Sequence, residues 1–333
     1  MEIFCTLFDS NYLSRGLSLY QSLLDVGEDF LLYVFAFDNK CYDILTKLDL
    51  QKMKVIKLKE FETPALLSVK DSRTPVEYCW TSTAHTIRHV LDHYDVDRCT
   101  YLDADLYFYN KPSIIINEFL ESKSSVLITE HRYTPKYENT ERVGYYNVQF
   151  LTFKKNPDSL KVLQWWQDRC IEWCHNYYED GKMGDQKYLD DWPERFEGII
   201  HVLEYEGGGV APWNVQQYNI LRKNSEIIIE NLLSKKEFKL VFYHFHGLRF
   251  YDEGSILLTP NDLPENSQEL IYFKYLKTLL TTEKNLQSNF PGLDPNGTIK
   301  TDLNWKVKTK MSKAFKSYRL INKNKLINQF QIN

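Results

Sequence analysis

Cys99-Thr100-Tyr101-Leu102-Asp103-Ala104-Asp105-Leu106-Tyr107-Phe108 places an acidic pair directly behind a short, mostly apolar run. Residues 99–102 read as a strand suited to burial. Residues i and i+2 on an extended chain point the same way, so Asp103 and Asp105 aim at one point. In an open α/β sheet, ligands bind beyond the carboxyl end of such a strand. Two carboxylates held together repel unless a cation lies between them. Mg2+ or Mn2+, which take oxygen ligands and share them with phosphate, suit that place. A lone D-x-D also occurs by chance on surface loops, so its weight depends on the rest of the chain.

Upstream, strand and helix alternate. Residues 2–8 and 31–37 are apolar runs, 55–58 is a shorter one, and Leu13, Leu17, Tyr20 and Leu24 have helical spacing. A further helix is expected over 76–93. This alternation predicts an α/β fold with a doubly wound, mostly parallel sheet. Downstream, strands are expected at 147–153, 199–203, 226–230 and 239–245. A long helix over 157–177 has proline in its first turn. No internal repeat or long linker divides the chain. One domain over 1–295 and a basic amphipathic tail over 296–333 are expected.

With 43% hydrophobic and 26% charged residues the composition is globular. The 15% aromatic share serves either nucleobase and sugar contacts or an ordinary core. A net charge of −4 argues against a generalist nucleic-acid binder. From Lys300 to Lys325, nine basic residues face one acid, so this stretch carries +8 and the remainder −12. Over 302–321, Met311, Ala314, Phe315, Tyr318 and Ile321 form an apolar stripe. Lys306, Lys310, Lys313 and Lys316 lie mostly elsewhere on the wheel. Such a helix fits an anionic membrane surface, or packs on the domain with its lysines in solvent. The chain opens as a strand rather than a signal peptide, and no run approaches the roughly 18–20 apolar residues of a spanning helix. The expected place is the cytoplasm, including the inner face of the membrane. The six cysteines show no C-x-x-C pair. Cys170 and Cys174, one turn apart in the expected helix, read better as thiols on a packed face than as a metal site.

A second chemical cluster is Tyr243-His244-Phe245-His246-Gly247. His244 and His246 share a side of the chain, and either can offer a nitrogen ligand. Gly247 permits close approach of backbone to phosphate. The alternative for each histidine is a satisfied core residue.

In their order along about 250 residues, these motifs resemble the GT-A glycosyltransferases. The likeness is strongest to the family 8 group of retaining galactosyl-, glucosyl- and glycogenin-type enzymes. Phe8-Asp9-Ser10-Asn11-Tyr12 is similar to the D-x-N-Y turn that holds nucleotide base and ribose. Asp103-Ala104-Asp105 matches the metal motif. Tyr146-Asn147-Val148-Gln149-Phe150 resembles F-N-x-G, with Asn147 at the donor-sugar contact. Asp185-Gln186-Lys187-Tyr188-Leu189-Asp190 resembles D-Q-D-x-L-N, which implies Asp185 and Gln186 near the reacting carbon. Ala211-Pro212-Trp213-Asn214 is similar to a turn at the sugar pocket, and His244 to Gly247 matches H-x-x-G.

The chain departs from these patterns at Gln149, Lys187 and Asp190. The Lys-Pro-Trp that follows H-x-x-G is absent, with Arg249 the nearest cation. These departures place the chain nearer the loosely grouped bacterial nucleotide-diphospho-sugar transferases.

The resemblance implies metal ligation by Asp103, Asp105 and one of His244 and His246. It implies sugar-donor contacts from Thr6, Phe8, Asp9, Asn11, Tyr12, Ala104, Asn147, Trp213, Asn214, Gly247 and Arg249. Lys70 and Arg73 either meet phosphates or are ordinary surface charges. Trp80 and Thr81 either line the donor site or fill core. Gly207-Gly208-Gly209 reads as a flexible, pocket-shaping loop with no Walker-type lysine after it. Asp190-Asp191-Trp192 belongs to an acceptor site or ends a short helix.

The implied activity is a metal-dependent, retaining hexosyltransferase using a UDP-sugar and a glycan or lipid-linked acceptor, as in bacterial surface polysaccharide or lipopolysaccharide assembly. Rival classes are a sugar-1-phosphate nucleotidyltransferase, a non-catalytic carbohydrate-binding protein and a metal-dependent nuclease. The first wants a glycine-rich, arginine-containing loop after the first strand, which 8–15 lacks. The last wants more ligands than this chain places.

Overall fold

A computed structural model of the protein describes residues 1–301 and 319–332. Its centre is a seven-stranded sheet built from β1 (Glu2–Phe8), β2 (Phe30–Ala36), β3 (Met53–Lys57), β4 (Arg98–Leu102), β6 (Val126–Glu130), β7 (Tyr146–Lys154) and β8 (Ile200–Val202). The strand order is β3-β2-β1-β4-β7-β6-β8. All strands run the same way except β7, which is antiparallel to both β4 and β6. The expected mostly parallel α/β sheet is therefore present, with β7 as an inserted reversed strand.

Both faces of the sheet are covered, as a parallel sheet requires. Along β1 the side chains alternate. Ile3, Cys5 and Leu7 enter a core with Ala84, Ile87 and Leu91 of the Pro75–His93 helix and with Leu163 and Trp166 of the Pro157–Glu172 helix. Phe4 and Phe8 enter the opposite core, with Leu13, Leu17 and Leu23 of the Leu13–Asp25 helix and Ile44 of the Asn39–Leu48 helix. Full burial of each such side chain contributes roughly 1.5–3 kcal/mol. The Pro75–His93 helix starts at a capping box, in which Thr74 and Glu77 satisfy each other's backbone amides, with Pro75 in the first turn.

From β1 the chain steps outward to β3 and then crosses back to β4 on the other side of β1. That reversal leaves a crevice beyond the carboxyl ends of β1 and β4. Asp9 follows one strand and Asp103 the other.

A ribbon of β5 (Leu106–Phe108) and β12 (Phe242–His244) continues from β4. Beside it stand a sheet of β9 (Tyr218–Lys223), β10 (Glu226–Asn231) and β11 (Glu237–Lys239), and another of β13 (Arg249–Phe250), β14 (Ser255–Leu257) and β15 (Leu320–Asn322). A third apolar core, which includes Tyr243, Phe245, Tyr275 and Leu279, joins this half to the Phe273–Asn289 helix.

Several expectations change. The helix expected over 157–177 ends at Glu172, where Trp173 turns extended. His175 and Asn176 are then drawn to Glu77, with the Asn176 amide donating to its carboxylate at 2.8 Å. Cys174 thus lies outside the helix, although both it and Cys170 are buried free thiols. The strand expected over 239–245 is broken between Lys239 and Phe242, and its halves join different sheets. The three glycines at 207–209 form a turn packed into the protein. They are buried, and a Cβ on Gly207 would stand 2.1 Å from the Lys239 carbonyl oxygen. Most of the expected 302–321 helix, with Lys306, Lys310, Met311, Lys313, Ala314, Phe315, Lys316 and Tyr318, lies outside the described residues. Ile321 is in β15, paired with Ile256, rather than on a helix. A Lys323–Phe330 helix follows, with Leu326 buried and Lys323 paired to Glu283 at 2.6 Å. Among the described residues no helix is long and apolar enough to cross a membrane.

Candidate active site

The β5–β12 ribbon assembles the site. Its register sets His244 opposite Leu106, one residue from Asp105. The Phe245 amide donates to the Asp105 carbonyl at 3.0 Å, and the His244 amide to that of Val210 at 2.9 Å. The His244 Nε2 then stands 3.0 Å from Asp105 Oδ1 and 3.7 Å from Asp103 Oδ2. One ligand atom from each of Asp105, His244 and His246 fits within 4.8 Å of the others. Asp105 and His244 are buried, Asp103 is half-buried and His246 faces solvent. Trp213 lies edge-on to both imidazoles, at 5.4 Å from the His244 ring and 5.7 Å from that of His246.

Electrostatics follow from this crowding. Burial disfavours the Asp105 carboxylate, but the charge and hydrogen bond of His244 outweigh it and hold the group below the usual carboxylate range. Burial works to lower His244 as well, and the two aspartates overcome it and raise the imidazole. Asp103 is pushed up, first by burial and then by the Asp105 charge, against the pull of His244. A cation bound among these groups would compete with the protons they hold. Oxygen and nitrogen donors this close, with an open side at His246, fit one divalent cation of the Mn2+ or Mg2+ kind.

Across the crevice, Asp9 caps the turn after β1. Its carboxylate accepts from the Asn11 amide at 2.9 Å and from Asn11 Nδ2 at 3.1 Å. Asp38 clamps the same turn through the Ser10 amide at 2.9 Å. Asn11 and Tyr12 are left exposed. Thr6 and Phe8 share the face of β1 that also carries Phe4. Thr6 is fully buried and Phe8 nearly so, which closes their side chains to a ligand. Ala104 is buried between the aspartates.

Asp185 is also buried, and its carboxyl rises to about 7, first through burial and then through the Asp103 charge. Gln186 Nε2 donates to the Val143 carbonyl at 3.2 Å. The two departures beside them prove to be partners. Lys187 Nζ and Asp190 Oδ2 are 2.7 Å apart, and Asp190 Oδ1 accepts from the Tyr145 amide at 2.7 Å. Asp191 pairs with Arg195 on the surface. Asn147 and Asn214 are committed to the wall of the site. Asn147 Nδ2 meets His131 Nε2 at 2.9 Å, and Asn214 Nδ2 donates to the His131 and Gly209 carbonyls. Trp213 Nε1 donates to the same His131 carbonyl. Gly247 sits at φ +80, and a Cβ there would touch Pro260 at 3.4 Å.

The expected phosphate cations divide. Lys70 is paired with Glu62, and Arg73 reaches His175 Nε2 at 2.9 Å and the Ile171 carbonyl at 3.3 Å. Arg249 is exposed, makes no ion pair among the described residues, and its charge is felt at His246. Trp80 borders the segment leading to Asp185, its ring 3.3 Å from where a Cβ on Gly184 would lie.

Three residues escaped sequence reading. Gln149 touches both arms of the acidic–histidine cluster. His131 anchors the Trp213 turn. Arg15 is buried one turn after Asn11, donating to the carbonyls of Asn296 and Leu248 at 3.0 Å, with its guanidinium 4.3 Å from the Tyr12 ring centre. The signal for Arg15 was a basic residue on the apolar side of a helix, between Leu13 and Leu17.

Comparison with known proteins places the chain among relatives over nearly its whole length. It is 30% identical to the uncharacterized protein YfnD of Bacillus subtilis (strain 168) over 294 residues, 86% of this chain and 92% of the other. Against the uncharacterized protein YfnF of the same organism, identity is 30% over 315 residues, 90% of this chain and 98% of that one. The chain belongs to the YfnD/YfnF family. No protein-family model matches it. Among solved structures it is similar to an active-site mutant of LgtC, a galactosyltransferase also solved with donor and acceptor sugar analogs. There identity is 12% and the TM-score 0.44, over 75% of this chain and 88% of that one. At nearly full-length coverage, the YfnD/YfnF family takes in both the doubly wound half and the ribbon that carries His244.

Proposed function

We propose that the protein is a glycosyltransferase of the GT-A type, moving a hexosyl group from a nucleoside-diphosphate sugar, UDP favoured, to a glycan or lipid-linked acceptor. One observation carries this reading: Asp103, Asp105, His244 and His246 converge at the sheet's switch point, facing the exposed Asn11-Tyr12 turn.

Asp105 and His244, with Asp103 and His246 beside them, would hold Mn2+ or Mg2+, which supplies positive charge where a leaving diphosphate becomes negative. The rest is done by side chains. The exposed ring of Tyr12 offers a face to a nucleobase, and Asp9 fixes the turn that presents it. Arg249, exposed and close enough for its charge to be felt at His246, adds positive charge beside the cluster. Asp185 is buried near Asp103, and its carboxyl is pushed up to about 7 by burial and that neighbouring charge, so it binds a proton more readily than an ordinary carboxylate. A retaining transfer does not call on it as a base: the leaving phosphate takes the acceptor proton, and Asp185 with Gln186 shapes the face of attack. The +8 charge between Lys300 and Lys325 supports work at the anionic inner face of a membrane, on a bacterial surface polysaccharide or lipopolysaccharide precursor.

The test is a thermal-unfolding panel of UDP-, GDP- and dTDP-sugars with and without Mn2+. A ligand at a hundred times its Kd adds about 2.7 kcal/mol to native stability. The expected result is a rise in Tm that needs both Mn2+ and one class of nucleotide sugar. Unchanged Tm across the panel sinks the reading.

A further inference from the structure

We infer that Gln149 is a positioning residue for the cation site, its side-chain carbonyl holding His244 in the Nδ1–H form so that Nε2 faces Asp105 and Asp103. The inference deepens the metal-dependent reading above and rests on it.

Gln149 lies in β7, the reversed strand, and is fully buried. Its main-chain carbonyl accepts from the Asp103 amide at 3.0 Å. Its Oε1 lies 2.8 Å from His244 Nδ1. One residue therefore grips both arms of the cluster, the acidic turn through its backbone and the imidazole through its side chain. The backbone grip is general to a strand in this place. The side-chain grip needs an acceptor, and glycine, which stands here in the pattern this segment resembles, has none.

The Nε2 edge of His244 faces two carboxylates, so Nδ1 is the nitrogen left for Gln149 to fix. With Nδ1–H donated to Oε1, Nε2 keeps a lone pair for a cation once its own proton leaves. Trp213 packs edge-on beside the ring, with centroids 5.4 Å apart. The Gln149 amide nitrogen has no partner among the described residues, and lies 3.3 Å from where a Cβ on Gly209 would stand. Gly209, at φ +83, leaves room for that amide. Outer-shell partners that orient a ligating histidine are typically worth about 10–100-fold in metal affinity.

The experiment uses the full chain and Mn2+ alone, with free ion followed by electron paramagnetic resonance. Gln149→Met removes the acceptor at similar volume, and Gln149→Glu keeps an acceptor. Thermal unfolding checks that each is folded. The expected result is Mn2+ binding weakened about 10–100-fold in Gln149→Met and largely restored in Gln149→Glu. Nitrogen-15 NMR of histidine-labelled wild type with Mg2+ gives a readout that needs no variant: His244 carries its proton on Nδ1 and none on Nε2. A folded Gln149→Met that binds Mn2+ like wild type overturns the role of Gln149 alone. A proton on Nε2 in the Mg2+ form does the same. Wild type that binds no Mn2+ overturns the metal-dependent reading itself, and the inference with it.

Discussion

His244 Nε2 stands 3.0 Å from Asp105 Oδ1, although the two residues come from opposite halves of the chain. The contact exists because β12 pairs antiparallel with β5 in a register that sets His244 opposite Leu106. Neither partner has a full complement of neutralising groups without the other, so each changes what the other is worth.

Asp105→Asn keeps the shape of this contact and removes its charge. Mn2+ binding should be lost, and sugar transfer should fall by about two orders of magnitude or more, as loss of several kcal/mol of charge stabilisation implies. Thermal unfolding of the metal-free variant should stay cooperative, with a Tm lowered by the loss of the charge that faces His244. Retained Mn2+-dependent transfer would show that Asp105 is not a ligand.

Arg15 is buried, makes no ion pair among the described residues, and donates to the carbonyls of Leu248 and Asn296 beside the Tyr12 ring, with its charge also felt at Asp105. It ties the turn after β1 to the segment behind Gly247. Lysine cannot make the same forked contact. Arg15→Lys should cost about 1–3 kcal/mol in urea unfolding and raise KM for the sugar donor more than it lowers kcat. An unchanged KM with lowered stability would limit Arg15 to a structural role.

Gly16 looks replaceable, since alanine is usually better by about 1 kcal/mol inside a helix. Here a Cβ would lie 2.3 Å from the Phe8 ring, in a filled core. Overpacking of this kind costs about 1–3 kcal/mol. Gly16→Ala should therefore destabilise, and Gly16→Ala with Phe8→Leu should recover part of the loss in the same urea titration.

Glu77 bears on acid stability. Burial works to raise its carboxyl, but the Asn176 and Thr74 amides, the Thr74 hydroxyl and His175 prevail and bring it to about 2. Its folded value lies below the unfolded one, so its contribution is whole above about pH 4.5 and fades as pH falls toward 2. The contribution is at most about 3 kcal/mol. The difference in unfolding free energy between wild type and Glu77→Gln should shrink steadily over that window. A difference that does not change with pH would locate the stabilisation elsewhere.

The sequence by itself determined what is local. Apolar runs and helical spacing marked β1, β2, β4 and the helix after residue 75, and the D-x-D spacing aimed two carboxylates past the end of β4. Only tertiary structure decided the direction of β7, the break between Lys239 and Phe242, and the early end of the 157–172 helix. Each depends on partners distant in sequence, and the same apolar run serves a parallel or an antiparallel neighbour. The site divides in the same way. The types of Asp103, Asp105, His244 and His246 were legible, while Gln149 and Arg15 gained their contacts only through groups brought beside them. A hydrogen bond or a charge pair acts over a few ångströms in space, and chain order does not encode that distance.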